Sequence, residues 1–332
     1  MDPRSPHNLR IAIIGSGVVG TATGTGLLRA GHDVVFCDVE EERVALLQRM
    51  GYNAIRVLDL LGLSVDSYLI SVPSPTVGGQ VDLSYVEVAA RTVGTALAMG
   101  STKESVAPWP IVVVRSTVPP GTTENVVVPL LEAGSGLRAG DDFGVAMNPE
   151  FLRAATAEED FVHPRVIVIG ALDERSAEGV RLIYASWADV PTVVTSPRTA
   201  EATKYLSNLF NAAKISFFNE MHALLSAIGA DPQAAETIVR MGTEGLWNAE
   251  YGTHGGAPYG GVCLPKDTVG FLGFLEDRGL ADDAHMLRAT IETNDRMCAP
   301  QLEEAVDEHP SPKEGLVAAL NEMPSVPESE FR

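Results

Sequence analysis

The sequence has little cysteine, no long apolar run and few basic residues. Three cysteines in 332 residues cannot form the disulfide framework of a small secreted domain, so a reducing cytoplasmic environment is predicted. The N-terminus has no apolar secretory core, and no run approaches the roughly 18 apolar residues of a membrane span. The net charge of −20 argues against a general nucleic-acid or anionic-membrane binder, although a small anionic substrate remains possible.

The overall composition is that of an ordinary globular protein. Apolar residues make up 45% of the chain and charged residues 20%, and the length suffices for two domains. The seven histidines show no spacing typical of a metal site, and no paired cysteines indicate zinc. We therefore expect no metal centre.

Residues 9–48 read LRIAIIGSGVVGTATGTGLLRAGHDVVFCDVEEERVALLQ and predict a strand, a glycine turn, a helix and a second strand. The glycines permit a tight turn and a close approach of the backbone to a pyrophosphate at the helix N-terminus. Asp38 ends the second strand, where a carboxylate binds the ribose 2′-hydroxyl and repels a 2′-phosphate, so NAD is favoured over NADP. The alternative is a glycine turn without a cofactor, and the flanking strands argue against it.

Three more apolar runs end in polar loops that contain proline. These runs are residues 67–72 before PSP, 111–114 before RSTVPPGT and 143–147 before NPEF. In a doubly wound sheet such loops lie at the carboxyl ends of the strands, where ligands bind. With a crossover helix at 83–99 and further strands at 165–170 and 190–195, the pattern predicts a Rossmann-type, doubly wound, mainly parallel sheet in a domain over 1–198.

Residues 199–228 contain no proline or glycine and predict one long helix. Lys204 and Asn208 lie one turn apart on it, and the apolar side chains around the rest of the cylinder suggest burial between domains or subunits. Helical patterns continue after a glycine-rich loop at 252–261. We therefore expect a helical central domain over 199–308 and a loosely held tail over 309–332, which is rich in Pro, Glu and Ser.

Six stretches in a fixed order resemble the UDP-glucose/GDP-mannose dehydrogenases, which oxidise the C6 alcohol of a nucleotide sugar to a carboxylate with two NAD. The stretches are GSGVVG, VPSP, VRSTVPPGTTE, NPEFLRAATAEEDFVHPRVIVIG, AEATKYLSNLFNAAKISFFNE and GGVCLPKD. Together they extend over about residues 9–300. The resemblance implies NAD as the cofactor and a homodimer formed through the helix over 199–228.

The resemblance also implies a covalent mechanism centred on Cys263. Its thiolate traps the aldehyde intermediate as a thiohemiacetal, which the second hydride transfer converts to a thioester. Lys204 and Asn208 stabilise the oxyanion at the reacting carbon. Asp267 is the partner either of a catalytic water or of Lys204 in proton transfer.

The same resemblance assigns Thr117 and Glu150 to the water that hydrolyses the thioester. The predicted cofactor contacts are Gly15, Gly17, Val18, Val19, Gly20, Asp38, Val72, Pro73, Ser74, Ser116, Thr117 and Lys266. The predicted substrate contacts are Glu150, Phe151, Leu152, Lys204, Asn208, Tyr259 and Gly260. Taken singly, these residues allow plainer interpretations: Glu150 as a helix-start acid, Lys204 as a solvated charge and Cys263 as an inert thiol.

Two departures from the family pattern bear on the substrate. Family members continue into a second Rossmann-like domain that holds the nucleotide of the substrate, and here we expect that domain to be absent after Arg332. Residues 242–261 also lack the Arg-Ile-Gly whose arginine helps bind the sugar nucleotide. The sequence therefore favours a small or atypical alcohol as the substrate, with binding energy from other contacts.

Three other interpretations stay open. A nucleotide sugar remains the substrate if a partner protein or the dimer mate supplies the missing contacts, or if the chain is a shortened form. A second possibility is an NAD-binding scaffold without turnover. The third is a two-electron hydroxyacid dehydrogenase, a class that shares the Lys-x-x-x-Asn helix and releases a free aldehyde or ketone.

Overall fold

A computed structural model describes residues 8–100, 109–261 and 263–308. The chain divides into two compact units within a long helix, between Leu209 and Phe210. We call the described residues up to Leu209 unit 1 and those from Phe210 unit 2. The tail predicted over 309–332 lies outside the described residues. Within the described ranges, no helix combines the length and the apolar character needed to cross a membrane.

Unit 1 is built on an eight-stranded sheet. The strands of unit 1, including two outside this sheet, are β1 (Arg10–Ile14), β2 (Asp33–Asp38), β3 (Ala54–Arg56), β4 (Ser67–Ile70), β5 (Thr76–Val77), β6 (Gln80–Val81), β7 (Ile111–Val114), β8 (Gly144–Met147), β9 (Ile167–Ala171) and β10 (Thr192–Thr195). The sheet order is β10-β9-β8-β7-β4-β1-β2-β3, and β5 and β6 form a separate antiparallel pair. All neighbours in the large sheet are parallel except β8 and β9. The predicted doubly wound, mainly parallel sheet is confirmed.

Helices cover both faces of this sheet. They are α1 (Val18–Arg29), α2 (Glu41–Arg49), α3 (Ser84–Gly100), α4 (Val128–Ser135), α5 (Ala157–Val162) and α6 (Glu174–Ile183). Along β1 the side chains alternate, so that Ile11 and Ile13 pack into one core and Ala12 and Ile14 into the other. Burial on both faces explains why these strands are continuous apolar runs. The strand order reverses beside β1, which opens a crevice at the carboxyl ends of the strands.

The remaining helices are α7 (Pro197–Ala227), α8 (Pro232–Gly242), α9 (Glu244–Trp247), α10 (Cys263–Glu276) and α11 (His285–Glu308). The predicted long central helix is therefore confirmed as α7, which runs through the boundary between the units. The side chain of Asp231 begins α8 by accepting a hydrogen bond from Ala234 N at 3.1 Å. The apolar core of unit 2 is small and centres on Leu224, Leu275, Ala281 and Ala284. The predicted domain boundary at residue 198 stays a prediction.

Candidate active site

A cleft of about 510 Å³ opens beside the glycine turn of unit 1. The turn needs glycine for two reasons: Gly15 has a φ of +89°, and a Cβ at Gly20 would lie 2.0 Å from Gly15 O. Gly17 differs, because a Cβ there would meet no protein atom within 4 Å. It is the N-cap of α1 and supplies no side-chain cap, so the first N–H groups of the helix are available to an anion. This arrangement fits the pyrophosphate of a dinucleotide.

Asp38 lies in the same cleft, and its carboxylate is oriented by the backbone. One oxygen accepts a hydrogen bond from Ser16 N at 2.7 Å, and the other accepts one from Glu40 N at 3.0 Å. The hydroxyls of Ser16 and Ser71 line the cleft and are buried without a hydrogen-bond partner in the part of the chain that is described. Unpaired buried hydroxyls at a cleft indicate a polar ligand, and the fit to a dinucleotide is again good.

The remaining predicted cofactor residues of unit 1 line this cleft too. They are Val18, Val19, Val72, Pro73, Ser74, Ser116 and Thr117. Two hydrogen bonds join the loops after β4 and β7: Ser74 Oγ donates to Thr117 O at 2.6 Å, and Ser116 Oγ donates to Val72 O at 2.7 Å. The structure therefore brings the predicted residues of three loops together at one edge of the sheet.

Glu150 and Lys204 form a buried ion pair. Glu150 lines the cleft, and its Oε1 lies 3.0 Å from Lys204 Nζ, with the two side chains 10% and 8% exposed. The second carboxylate oxygen of Glu150 accepts a hydrogen bond from Leu152 N at 2.6 Å, and Lys204 Nζ lies 5.7 Å from the centre of the Phe151 ring. Such burial argues against Lys204 as a solvated charge. Asn208, one turn further along α7, is exposed.

The predicted residues of unit 2 surround the start of α10. Cys263 is the first residue of this fourteen-residue helix, and it is exposed and free. Lys266 Nζ contacts Asp267 Oδ1 on the same helix. Tyr259, in the loop before α10, has its hydroxyl 3.5 Å from Thr268 Oγ1, and Gly260 follows it in that loop.

Comparison with known proteins decides the family. The UDP-glucose/GDP-mannose dehydrogenase family has an NAD binding domain, whose model matches residues 9–55 and 63–188, and a central domain, whose model matches residues 198–296. The chain belongs to the UDP-glucose/GDP-mannose dehydrogenase family. The resemblance inferred from the motifs and the prediction of NAD as the cofactor are thereby confirmed.

Named relatives and a solved structure agree with this assignment. The chain is 33% identical over 310 residues to UDP-glucose 6-dehydrogenase AglM of Haloferax volcanii, covering 86% of this chain and 70% of the relative. It is 35% identical over 280 residues to GDP-mannose 6-dehydrogenase of Azotobacter vinelandii, covering 78% and 62%. The structure of a ternary complex of GDP-mannose dehydrogenase from Pseudomonas aeruginosa matches with a TM-score of 0.78 at 32% identity, covering 91% and 72%. The chain thus spans less than two thirds of the length of some of these relatives.

Sequence reasoning missed one cation of the dinucleotide cleft in this family member. Arg43, on α2, lines the main cleft, and it also lines a second cleft of about 560 Å³ that shares Gly17 and Val18 with the first. Arg43 lies five residues after Asp38, in a segment whose composition is that of an ordinary solvent-exposed helix. Only the folded arrangement, in which α2 lies near the glycine turn, shows that Arg43 lines the cleft.

A second missed residue is Glu201, which is fully buried on α7 one turn before Lys204. Its carboxylate accepts hydrogen bonds from Thr123 N at 2.7 Å and Thr123 Oγ1 at 2.6 Å, and it also accepts one from Gly121 N. Burial is the largest influence on this group and raises the pKa of Glu201. Glu201 connects the start of α7 to the loop after β7. It stands within the quoted stretch AEATKYLSNLF, but nothing in that stretch indicates its burial or its partners.

Proposed function

We propose that the protein oxidises the C6 primary alcohol of a nucleotide sugar to a carboxylate, with NAD as the cofactor and Cys263 as the nucleophile. The observation that carries this proposal is the buried Lys204–Glu150 pair at the edge of a dinucleotide cleft. A cation and a carboxylate held there can stabilise a developing oxyanion and accept a proton. When bound, NAD accepts one hydride in each of the two oxidations.

Each residue then has one task along the reaction. The Cys263 sulfur attacks the aldehyde carbon, and the carbonyl oxygen becomes an oxyanion that Lys204 and Asn208 stabilise. Loss of a hydride from that carbon leaves a thioester. A water held by Thr117 and Glu150 adds to the thioester carbon, Glu150 accepts a proton from it, and the carbon–sulfur bond breaks to release the thiolate and the acid. One water and two NAD are consumed for each acid, and two NADH are formed.

The residues around Cys263 complete this assignment. Asp267 takes part in proton transfer, either through a water or through Lys204, and Lys266 contacts the cofactor. Phe151, Leu152, Tyr259 and Gly260 contact the sugar. A reducing cytoplasm would keep the exposed Cys263 as the free thiol that the mechanism needs.

A second candidate substrate is a small or atypical alcohol that carries no nucleotide. It is favoured by one observation: residues 242–261 lack the Arg-Ile-Gly that contributes to sugar-nucleotide binding in the family. The chemistry at Cys263 would be unchanged, and only the source of binding energy would differ.

The test is the ratio of NADH formed to substrate consumed. Purified protein would be mixed with NAD and, in separate reactions, UDP-glucose, GDP-mannose, UDP-N-acetylglucosamine and small phosphorylated alcohols. Two NADH per nucleotide sugar supports the main proposal, and two NADH per small alcohol alone supports the second candidate. One NADH with a free aldehyde or ketone as the product would refute the thioester mechanism and favour a two-electron dehydrogenase. Tight NAD binding without turnover on the whole panel would favour a scaffold.

We also propose a homodimer formed through α7. Large apolar side chains are exposed on this helix, namely Leu206, Leu209, Phe210, Ile215 and Phe217. Such an apolar surface is typical of a subunit interface and unusual for a surface that stays in contact with solvent. Light scattering should give twice the chain mass of 35.3 kDa, and Phe210→Glu should reduce it to the monomer value. Leu172→Glu, at an exposed apolar residue outside α7, is the matched control.

A further inference from the structure

Three buried side chains form a closed hydrogen-bonded triangle in unit 1. Arg115 Nη1 donates to Asn148 Oδ1 and, at 2.7 Å, to the hydroxyl of Tyr184. The Tyr184 hydroxyl in turn donates to Asn148 Oδ1 at 2.7 Å. Asn148 Nδ2 donates to Val168 O at 2.8 Å, which fixes the orientation of the amide. We call these three residues the Arg115 triangle.

The Arg115 triangle connects the two loops that carry the proposed hydrolytic residues. Arg115 follows β7 directly and lies two residues before Thr117. Asn148 follows β8 directly and lies two residues before Glu150. Tyr184 follows α6, far away in the sequence, and its hydroxyl is hydrogen-bonded to both Arg115 and Asn148. A shift of either loop would therefore strain a hydrogen bond to the other.

The charge of Arg115 makes the triangle costly unless it has a task. The residue is 3% exposed, and among the described residues its partners are neutral oxygens and the Phe161 ring, whose centre lies 5.7 Å from Cζ. Its Nε has no hydrogen-bond partner there. Burying a cation without a carboxylate is unfavourable, and a neutral side chain could join two loops at less cost. The guanidinium group of arginine, however, is planar and has several N–H donors, so it fixes its two acceptors, Asn148 Oδ1 and the Tyr184 hydroxyl, in one geometry.

We propose that Arg115, Asn148 and Tyr184 are positioning residues that hold Thr117 and Glu150 in register for hydrolysis of the thioester. This inference rests on the proposed function, since it takes the roles of Thr117 and Glu150 from it. In this proposal the triangle contacts neither the thiol nor the water, although Arg115 itself lines the cleft. Its effect falls on the last step, where a misplacement of about 1 Å costs up to roughly a hundred-fold in rate.

Tyr184→Phe is the variant that tests the triangle, because it deletes one hydroxyl and keeps the ring. Tyr68→Phe is the matched control, since Tyr68 is also buried, lies on β4 and is outside the triangle. Arg115→Lys, which keeps the charge and loses the fork, is the second variant if Tyr184→Phe folds poorly. Rapid mixing with NAD and UDP-glucose separates a burst of two NADH per site from the steady rate. Mass spectrometry detects acylated Cys263, and amide hydrogen exchange reports on residues 114–118 and 148–152.

For Tyr184→Phe we expect a burst within about two-fold of wild type, steady turnover roughly ten-fold lower, and accumulation of acylated Cys263. Exchange should accelerate in both loops, while Tyr68→Phe changes neither readout. A burst and a steady rate that fall together, as in general destabilisation, would overturn the inference, and so would unchanged exchange in the two loops. If wild type gives no NADH with UDP-glucose, GDP-mannose or UDP-N-acetylglucosamine, the proposed function fails by itself, and the exchange readout still decides whether the triangle holds the loops.

Discussion

Unit 1 and unit 2 are built differently, and the difference divides the proposed chemistry between them. In unit 1 the strands are buried on both faces, and large side chains such as Phe36 and Phe143 are completely covered. In unit 2, as far as it is described, the apolar core consists of two leucines and two alanines, and Met241 and Trp247 are 80% and 66% exposed. The first unit has an extensive core of its own, while the second exposes apolar surface of the kind that subunits cover.

The polar groups follow the same division. In unit 1 the carboxylates of Asp38, Glu150 and Glu201 all accept hydrogen bonds from backbone N–H groups. In unit 2 Cys263 is exposed, and Lys266 and Asp267 contact only each other among the partners found for them in the described chain. The cleft of unit 1 is thus preorganised by backbone hydrogen bonds, whereas Cys263 in unit 2 is an exposed residue at the start of a helix.

Replacing the Cys263 thiol gives the largest expected effect. It tests whether this exposed residue of unit 2 forms the thioester. Cys263→Ser should lower acid formation about a thousand-fold or more, because the thioester step is lost. Cys298→Ser, on α11, is the matched control and should leave the rate unchanged. NADH formation and product analysis measure both variants. Acid production at the wild-type rate by Cys263→Ser would refute the covalent mechanism.

The third cysteine sharpens the same contrast between the units. Burial raises the pKa of the Cys37 thiol to about 12, so this residue stays protonated although it lines the cleft. Iodoacetamide should therefore label Cys263 and spare Cys37, which peptide mapping would show. Preferential labelling of Cys37 would contradict the assignment.

Removing the Lys204 amine should give the next largest effect, because it breaks the preorganised ion pair with Glu150. Lys204→Met should lower turnover by about 10²- to 10³-fold through loss of oxyanion stabilisation. It should also cost about 3 kcal/mol of unfolding free energy, since Glu150 would remain buried without its cation. Lys214→Met, at an exposed lysine of the same helix, serves as the control. Equal loss of activity in both variants would argue that the helix, and not the Lys204 amine, matters.

Asp38 tests the cofactor end of unit 1 and should give a smaller effect. Asp38→Asn removes the negative charge at the cleft, so the NAD dissociation constant should rise about ten-fold and discrimination against NADP should weaken. Asp33→Asn, at the other end of β2, changes an exposed carboxylate paired with Arg10 at 3.2 Å and is the control. Calorimetric titration with both cofactors measures the change. NADP binding to wild type as tightly as NAD would refute the preference.

The motifs of unit 1 predicted the sheet and the cleft because they are local. A strand, a turn and a following helix lie within a few residues, and their glycines identify the turn. The predicted helix after the turn is α1, which begins at Val18. Glycine inside a helix is unfavourable by itself, and packing explains it here: a Cβ at Gly24 would lie 2.2 Å from the Phe36 ring, and one at Gly26 would lie 2.1 Å from the Phe161 ring.

What the sequence could not predict depends on contacts between distant segments. The antiparallel pairing of β8 with β9 follows from the path of the connecting chain, and apolar runs do not record direction. The pairing of Lys204 with Glu150 and the meeting of Tyr184 with Arg115 join residues more than fifty positions apart. Arg115, Asn148 and Glu201 stand within the quoted motif stretches, but their burial and their partners are visible only in the folded unit. The motifs therefore identified the stretches without identifying these positioning roles.

Glu201 gives the smallest expected effect and tests how tightly unit 1 holds the start of α7. Burial raises the pKa of Glu201 above its ordinary value of 4.5, so the folded state binds this proton more tightly than the unfolded state does. The contribution of Glu201 to the unfolding free energy is therefore most favourable below pH 4.5 and declines as the pH rises through the raised pKa. Glu201→Gln lacks this titration, so the stability difference between wild type and variant should shrink with rising pH and then become constant.

Both proteins in this comparison, with Glu201 and with Glu201→Gln, would also carry Trp247→Phe. Trp109 and Trp187 are then the remaining tryptophans, and their fluorescence reports on unit 1 alone. Urea unfolding of the two proteins would be followed by fluorescence between pH 4 and 8. The partly buried carboxylate of Asp160 has the opposite pH dependence, because hydrogen bonds from Arg153 lower its pKa. A stability difference that grows with pH would mean that the hydrogen bonds from Gly121 and Thr123 outweigh the cost of burial. The ionised form of Glu201 would then stabilise the contact between α7 and the loop after β7 more than the protonated form does. At neutral pH the start of α7, which carries Lys204, would be held more tightly than a raised pKa of Glu201 implies.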